Sequence, residues 1–346
     1  MSANFIIAAA REVDGKGSLA SLHEQWRELQ LCGARLTELV IDPLAAGWDT
    51  PLSPDHFRSG CAPLEALAYA DQLLRAGDAD AVLIRGKDNL RSDYANNKSE
   101  RAHRMAIYGE CSSPQAYTLL AREFMRIHEL TDGDFRQLAD ALFENYLRTA
   151  QRDEDFQLPG RHADAMVTEL FRKRDCANPN VDFSGAVIVA PTPAIARDDF
   201  TAIEIRAVEL AQSSGDGPAH IEEIARYDHL RTACEAAAAS ANLDFAQAFR
   251  DGDALLEAYT CFPVAPLGFL MSSGIVSDVA QIPSLLQTHE ITVTGGMNLA
   301  RAPWNNPVLN ALIVMCHRLA GGNENLGIVH GNGGLGYRQG VAILQC

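Results

Sequence analysis

The feature that most constrains this chain is an order that repeats. Short apolar segments of strand length alternate with longer amphipathic ones, and the same succession occurs twice. In the first half, residues 4–10 (NFIIAAA) read as a strand, 18–33 as an amphipathic helix and 36–42 (LTELVID) as a second strand. A loop rich in Pro and Asp runs from Pro43 to Ser59. A helix spans Ala62 to Ala76, and ADAVLIRG at 79–86 reads as the next strand. SGAVIVA at 184–190 is another, and Pro191 and Pro193 mark a boundary. The second half reads as a strand at 201–210, an Ala-rich helix at 228–242 and a strand at 254–259 that leads into Cys261. A short helix near 264–273, ITVTGG at 291–296, a helix at 307–320 and two strands, 326–330 and 340–345, complete it. Such alternation implies parallel β-structure, and its repetition implies a duplicated unit.

Between the halves lies a polar stretch, 87–104, carrying Lys87, Arg91, Lys98, Arg101 and Arg104. Three helical stretches follow, near 112–128, 131–150 and 162–173, and read as an inserted lobe. The expected division is residues 1–90 plus 175–195 for the first half, 91–174 for the inserted loop domain and 196–346 for the second half.

With 346 residues, 47% of them hydrophobic, the chain can bury a large core. Its start, MSANFIIAAAREVDG, reads as a core strand and not as a signal peptide, and no apolar run reaches the length of a membrane helix. A net charge of −16 argues against nucleic acid as a partner, and an anionic ligand would need a local basic patch. The eight cysteines form no CxxC pair, so free thiols and a cytoplasmic location are expected, with no metal site.

Four places could carry chemistry. Ser59-Gly60-Cys61-Ala62-Pro63 opens a helix; Cys61 at its N-terminus would feel a field that favours the thiolate, and Gly60 would permit a tight turn. The alternative is a buried structural cysteine. Tyr259-Thr260-Cys261-Phe262-Pro263 stands at a strand end, where Cys261 is either an acid/base or a packed hydrophobe. Thr294-Gly295-Gly296, followed by Arg301 to Pro307, reads as an active-site loop, or as a cap in which Asn305 or Asn306 starts the next helix. His330-Gly331-Asn332-Gly333-Gly334-Leu335-Gly336 is a hairpin turn. Its exposed N–H groups could also form an oxyanion hole, with His330 as a proton shuttle.

These four places, in this order, resemble the thiolase superfamily. Cys61 followed by RAGDADAVLIRG resembles the family's nucleophile helix and returning strand. MAIYGECSSPQAYTLLAREFMRIHELT is similar to the loop domain of sterol-carrier-protein-type thiolases, and TCFP, TVTGG, PWNNP and GNGGLG resemble a variant found in bacterial acetyl-CoA acetyltransferase-like proteins. The resemblance runs from about Phe5 to Leu344. It implies an α/β fold of five layers, αβαβα, with duplicated halves and an inserted helical loop domain. It also implies a homodimer acting on a coenzyme A thioester, with no tightly bound cofactor. In the roles it implies, Cys61 takes the acyl group, and Cys261, His330 and Tyr259 complete the catalytic set. Arg101, Arg104, Tyr108, Gly295, Gly296, Asn306, Asn332 and Gly333 would contact the acyl-CoA.

The sequence departs from the family pattern at three points. Counting back from Ala-Gly-Asp-Ala, the nucleophile position falls on Gly60, one residue before Cys61; a family histidine corresponds to Ala302, and a family asparagine to Tyr259. Three functions follow: an acyl-CoA acyltransferase working through Cys61, a retro-aldol lyase that uses Tyr259 and a small OB-fold partner protein, or a non-catalytic acyl-CoA-binding subunit.

Overall fold

The computed structural model describes residues 3–153, 156, 160, 162–299 and 301–346. Ten strands form one mixed sheet: β1 (Asn4–Val13), β2 (Lys16–Gly17), β3 (Leu36–Ile41), β4 (His56–Phe57), β5 (Ala81–Asn89), β6 (Asp182–Ala190), β7 (Ile203–Gln212), β8 (Ala254–Glu257), β9 (Leu326–Gly333) and β10 (Arg338–Gln345). The helices among the described residues are α1 (Ala20–Leu31), α2 (Ala62–Ala76), α3 (Lys98–Met105), α4 (Ser113–Ile127), α5 (Asp132–Ala150), α6 (Ile221–Ile224), α7 (Asp228–Ala241), α8 (Phe245–Asp251), α9 (Val264–Ser272), α10 (Ile282–Thr288), α11 (Gly296–Leu299) and α12 (Pro307–Gly321).

The sheet order is β4-β3-β5-β6-β1-β7-β10-β9-β8, with β2 paired to β1. Read outward from the β1–β7 join, and setting aside the two-residue β2 and β4, each half runs first strand, fourth, third, second, the order a duplicated unit would give. The expected parallel arrangement holds only in part. β3–β5, β3–β4 and β8–β9 are parallel, but β6 and β10 run against both of their neighbours, and β1 meets β7 antiparallel. A tight turn joins β9 to β10 and leaves no crossover, so that pair must be antiparallel.

Neighbouring residues on the strands serve two cores. On β5, Val82 and Ile84 face the central core, while Ala81 and Leu83 face outward against Leu22 and Trp26 of α1. Val187 and Val189 of β6 likewise face inward, and Ala186 and Ile188 outward. Strands buried on both faces read as continuous apolar runs, which is how SGAVIVA looks in the sequence. α2 and α12 pack on each other and on strands of both halves; α1 covers the outer face of the first half and α7 that of the second. These are the five layers.

α3, α4 and α5 are inserted between β5 and β6. α3 occupies part of the polar, basic stretch 87–104. Residues 162–173 do not form the expected helix. Thr168 Oγ1 accepts the N–H groups of Leu170 and Phe171 and folds a turn. Leu170 and Phe171 are buried while Met166 and Val167 are exposed, so residues at helical spacing do not share a face. Asn145 of α5 donates to the carbonyls of Leu286 and His289 and accepts from Ile291 N, which fixes the lobe to the second half.

Candidate active site

α2 begins where its sequence says it should. Pro63 occupies the first turn and Gly77, at φ 70°, ends the helix in the left-handed region. Cys61 is the N-cap residue, and its thiol turns into the core. A Cβ added at Gly340 would lie 2.9 Å from Cys61 Sγ, and one at Gly331 would lie 3.3 Å from it. These two glycines are ladder partners on β10 and β9, so the sulfur is lodged against bare backbone. Cys61 has no exposure, and burial pushes its thiol well up; Glu65 adds to this and Arg338 opposes it. A helix terminus contributes typically 0.3–1 kcal/mol, too little to offset desolvation of a thiolate. The expectation of a lowered thiol pKa is therefore overturned.

Gly60 faces the other way. A Cβ there would meet the phenol oxygen of Tyr259 at 2.2 Å and the carbonyl oxygen of Asn332 at 2.3 Å. The phenol thus occupies the space that a side chain at position 60 would fill. Ser59 before it has φ 154°, outside the usual range for a residue with a Cβ. Its hydroxyl accepts Cys61 N–H at 3.0 Å and donates to Glu65 at 3.2 Å.

β8 brings Tyr259 and Cys261 to this turn. Burial raises the Tyr259 phenol well above its ordinary value, with Cys261 and Cys61 adding to the shift, so the hydroxyl keeps its proton. Burial likewise pushes the Cys261 thiol to about 12, and its contact with Tyr117 moderates this. Tyr117 stacks on Phe262 at 4.2 Å.

Behind Tyr259 the hydrogen bonds form one chain. Tyr117 donates to Gly334 O and accepts from Asn332 Nδ2; Gln339 Nε2 donates to Asn332 Oδ1 and Gly336 O. Gln339 Oε1 is therefore the acceptor facing His330 Nε2 at 2.8 Å, and that nitrogen carries the proton. Nδ1 accepts the Tyr259 N–H at 3.3 Å. With both nitrogens committed, a ring stacked on Phe269 at 4.4 Å, and burial lowering it to about 4, His330 is a neutral brace. The thiols of Cys61 and Cys261 and this imidazole line none of the four main cavities among the described residues.

The residues expected to contact acyl-CoA divide into groups. Arg101 donates to Asn180, and Arg104 pairs with Glu100 and donates to Ala45 O, so both are engaged within the fold. Tyr108 donates to Asp216, whose carboxylate also holds Leu335 N and Gly217 N under the glycine turn. Gly295 and Gly296 sit at φ 88° and 76° against Ala150 and Tyr146, where any side chain would collide or strain. Asn306 is the N-cap residue of α12 but makes no side-chain cap; its Nδ2 donates to Asp88 and its Oδ1 is buried without a partner. Asn332 belongs to the chain behind Tyr259, and Gly333 backs onto Ser59.

Sequence reasoning missed Glu257, Asp88, Tyr117 and Gln339. Glu257 accepts from Val293 N, Thr294 N and Thr294 Oγ1, and shapes the loop ahead of the glycine pair. Asp88 does the same for Leu44 N, Trp304 N and Asn305 N. One signal was available: an acid that ends an apolar strand, as in ALLE and VLIRGKD, demands partners.

No family model matches the chain, and no curated protein matches it. Solved structures do. A monomeric SCP2-thiolase-like protein type 1 from Mycobacterium smegmatis aligns with TM-score 0.71 at 17% identity, over 99% of this chain and 77% of that one. The Ltp2–ChsH2(DUF35) aldolase aligns with TM-score 0.68 at 16% identity, over 100% and 98%. The Acat5 thiolase of Ascaris suum, solved with coenzyme A, aligns with TM-score 0.63 at 14% identity, over 99% of each chain. The chain has the thiolase fold.

Proposed function

We propose that this chain is an enzyme that breaks or forms the carbon–carbon bond beside a coenzyme A thioester by aldol chemistry, with Tyr259 carrying the proton. The observation behind this reading is the phenol of Tyr259 over Gly60, the turn position where the family resemblance puts the nucleophile. The one nearby cysteine of that loop is sealed against β9 and β10. An aldolase with this fold spans nearly the same length.

In cleavage of a β-hydroxyacyl thioester, the hydroxyl O–H bond breaks and its electron pair forms the new carbonyl. The Cα–Cβ bond breaks and its pair passes to the thioester enolate. The enolate carbon then takes a proton and leaves as a shorter acyl thioester. Because the phenol holds its proton at rest, Tyr259 gives that proton to the enolate carbon as the Cα–Cβ bond breaks, and the phenolate so formed takes the proton of the substrate hydroxyl, which restores the phenol and balances the step. The reading includes the domain division given above, a cytoplasmic location, and a second chain, either another copy or a small OB-fold protein.

Purified protein, alone and with proteins encoded beside it, is assayed with a panel of β-hydroxyacyl-CoA thioesters. Tyr259→Phe is expected to lower turnover about 100- to 10,000-fold, the usual worth of a proton-transfer group, while Cys61→Ala keeps it. An acyl adduct on Cys61 by intact mass, with turnover lost in Cys61→Ala and kept in Tyr259→Phe, would restore the acyltransferase reading. Binding of CoA without turnover of any thioester would favour a non-catalytic subunit.

A further inference from the structure

We infer that Glu65 is a positioning residue: paired with Arg338 of the second half, it fixes the Ser59–Gly60 turn against which the phenol of Tyr259 lies. The kinetic consequence of this role rests on the reaction proposed above; its geometry does not. The turn is unusual as backbone. Ser59 is fully buried at φ 154°, and Gly60 follows it without a side chain because the Tyr259 phenol and the Asn332 carbonyl fill that space. Strain of this kind persists only where the surroundings over-determine it.

Here they do so from two sides. On one side Gly333 of β9 leaves room for the Ser59 hydroxyl, since a Cβ there would lie 2.9 Å from Oγ. On the other stands Glu65, in the first turn of α2. Its Oε1 accepts the Ser59 proton at 3.2 Å, and its Oε2 accepts Arg338 Nη1. Arg338 of β10 also donates through Nη2 to Gln212 of β7 at 3.0 Å. A serine hydroxyl has one proton and is free to rotate it. A carboxylate that takes this proton leaves a lone pair of Oγ for Cys61 N–H, 3.0 Å away. One line of bonds therefore runs from two strands of the second half, through Glu65, to the turn in the first.

Stability does not account for the pair. A largely buried ion pair gains little over apolar groups of the same size. Burial works against the Glu65 charge and raises its carboxyl, while Arg338 and Ser59 oppose this. What the charge adds is a fixed direction for the Ser59 proton, and with it a fixed place for the turn. Among the described residues Glu65 makes no hydrogen bond to Tyr259, so it acts through Ser59 and Gly60. The coupling is steric: a carbon on Gly60 would meet the phenol oxygen at 2.2 Å, so the phenol follows any shift of the turn.

Fluorine NMR of the protein carrying 3-fluorotyrosine tests this without substrate. The signal lost in Tyr259→Phe identifies Tyr259 among the eight tyrosines. Glu65→Gln removes the charge that Arg338 pairs with, and Ser59→Ala removes the hydroxyl. Both should shift the Tyr259 signal, whereas Arg35→Gln, at an exposed ion pair with Asp80, should not. Circular dichroism melts confirm folding; should both variants fail to fold, Arg338→Lys, which gives up the bond to Gln212, is read in the same way. With a β-hydroxyacyl-CoA, Glu65→Gln should lower kcat about 100-fold, the cost of misplacing a reacting group by about 1 Å, and leave KM unchanged. In Ser59→Ala the same substitution should have little further effect, since the two residues act in series. An unmoved Tyr259 signal in the folded variants, full turnover beside a shifted signal, or additive losses overturn the inference. A shifted signal in a protein that turns over no thioester rejects the aldol chemistry and leaves the positioning role standing.

Discussion

Cys61 and Cys261 each follow the second strand of a half-sheet, yet the two loops put their thiols to different use. In the first loop the apex is Gly60, the next side chain turns inward, and Cys61 fills a gap left by Gly331 and Gly340. In the second, Glu257 and Thr260 hold a neighbouring segment, and Tyr259 reaches across to Gly60. A duplicated plan therefore yields one loop that supplies space and one that supplies functional groups. The nucleophilic look of Ser-Gly-Cys-Ala-Pro comes from its position at a helix start. A shift of one residue decides whether the thiol meets the substrate side or the sheet.

The sharpest way to break this comparison is to fill the space. Gly60→Ala should cost about 3 kcal/mol in chemical denaturation, near the top of the range for overpacking, because one of the atoms it strikes is backbone. A neutral result would mean that Tyr259 does not occupy the turn. The second loop should show its own pH signature. Burial raises the Glu257 carboxyl to about 7 from an ordinary 4.5, so the folded state holds that proton more tightly than the unfolded chain. Its contribution is full below about pH 4.5 and is lost as pH rises through 7. Between those limits the wild type should lose up to about 3 kcal/mol relative to Glu257→Gln. Equal pH slopes for the two proteins would mean that the carboxyl is ionised throughout.

In the first loop, Gly340→Ala should cost about 1–3 kcal/mol, and Cys61→Gly in the same chain should recover part of it, since the methyls of Leu210 and Leu64 crowd the added carbon as closely as the sulfur does. Additive losses would show that the sulfur does not lie against that glycine. The smallest effect is kinetic: under native conditions iodoacetamide should label exposed Cys32 and Cys346 and leave Cys61 untouched. Fast labelling of Cys61 would reopen the acyl-enzyme route.

The elements were legible because burial leaves a local trace. α2 ends on a glycine and starts on a proline, and the double-faced strands read as apolar runs. The helix expected at 162–173 does not form because the Thr168 hydroxyl offers the backbone a turn instead. The candidate site was legible in its places and not in its roles. The sequence singles out Tyr259, Cys61, Cys261 and His330 as candidates, but whether each thiol is solvated or sealed depends on what crosses it from far along the chain.

The sequence by itself determined the repeated strand and helix order and the helices that stand between β5 and β6. Each of these rests on patterns that span a few residues. Tertiary structure alone decided strand direction in β6 and β10, the single proton-bearing nitrogen of His330, and the gathering of Arg11 of β1, Arg318 of α12 and the loop residues Arg91, Arg152 and Arg301 around one hollow. Those outcomes depend on pairings between residues up to some 300 positions apart, such as Arg11 with Asn310, which no local pattern encodes.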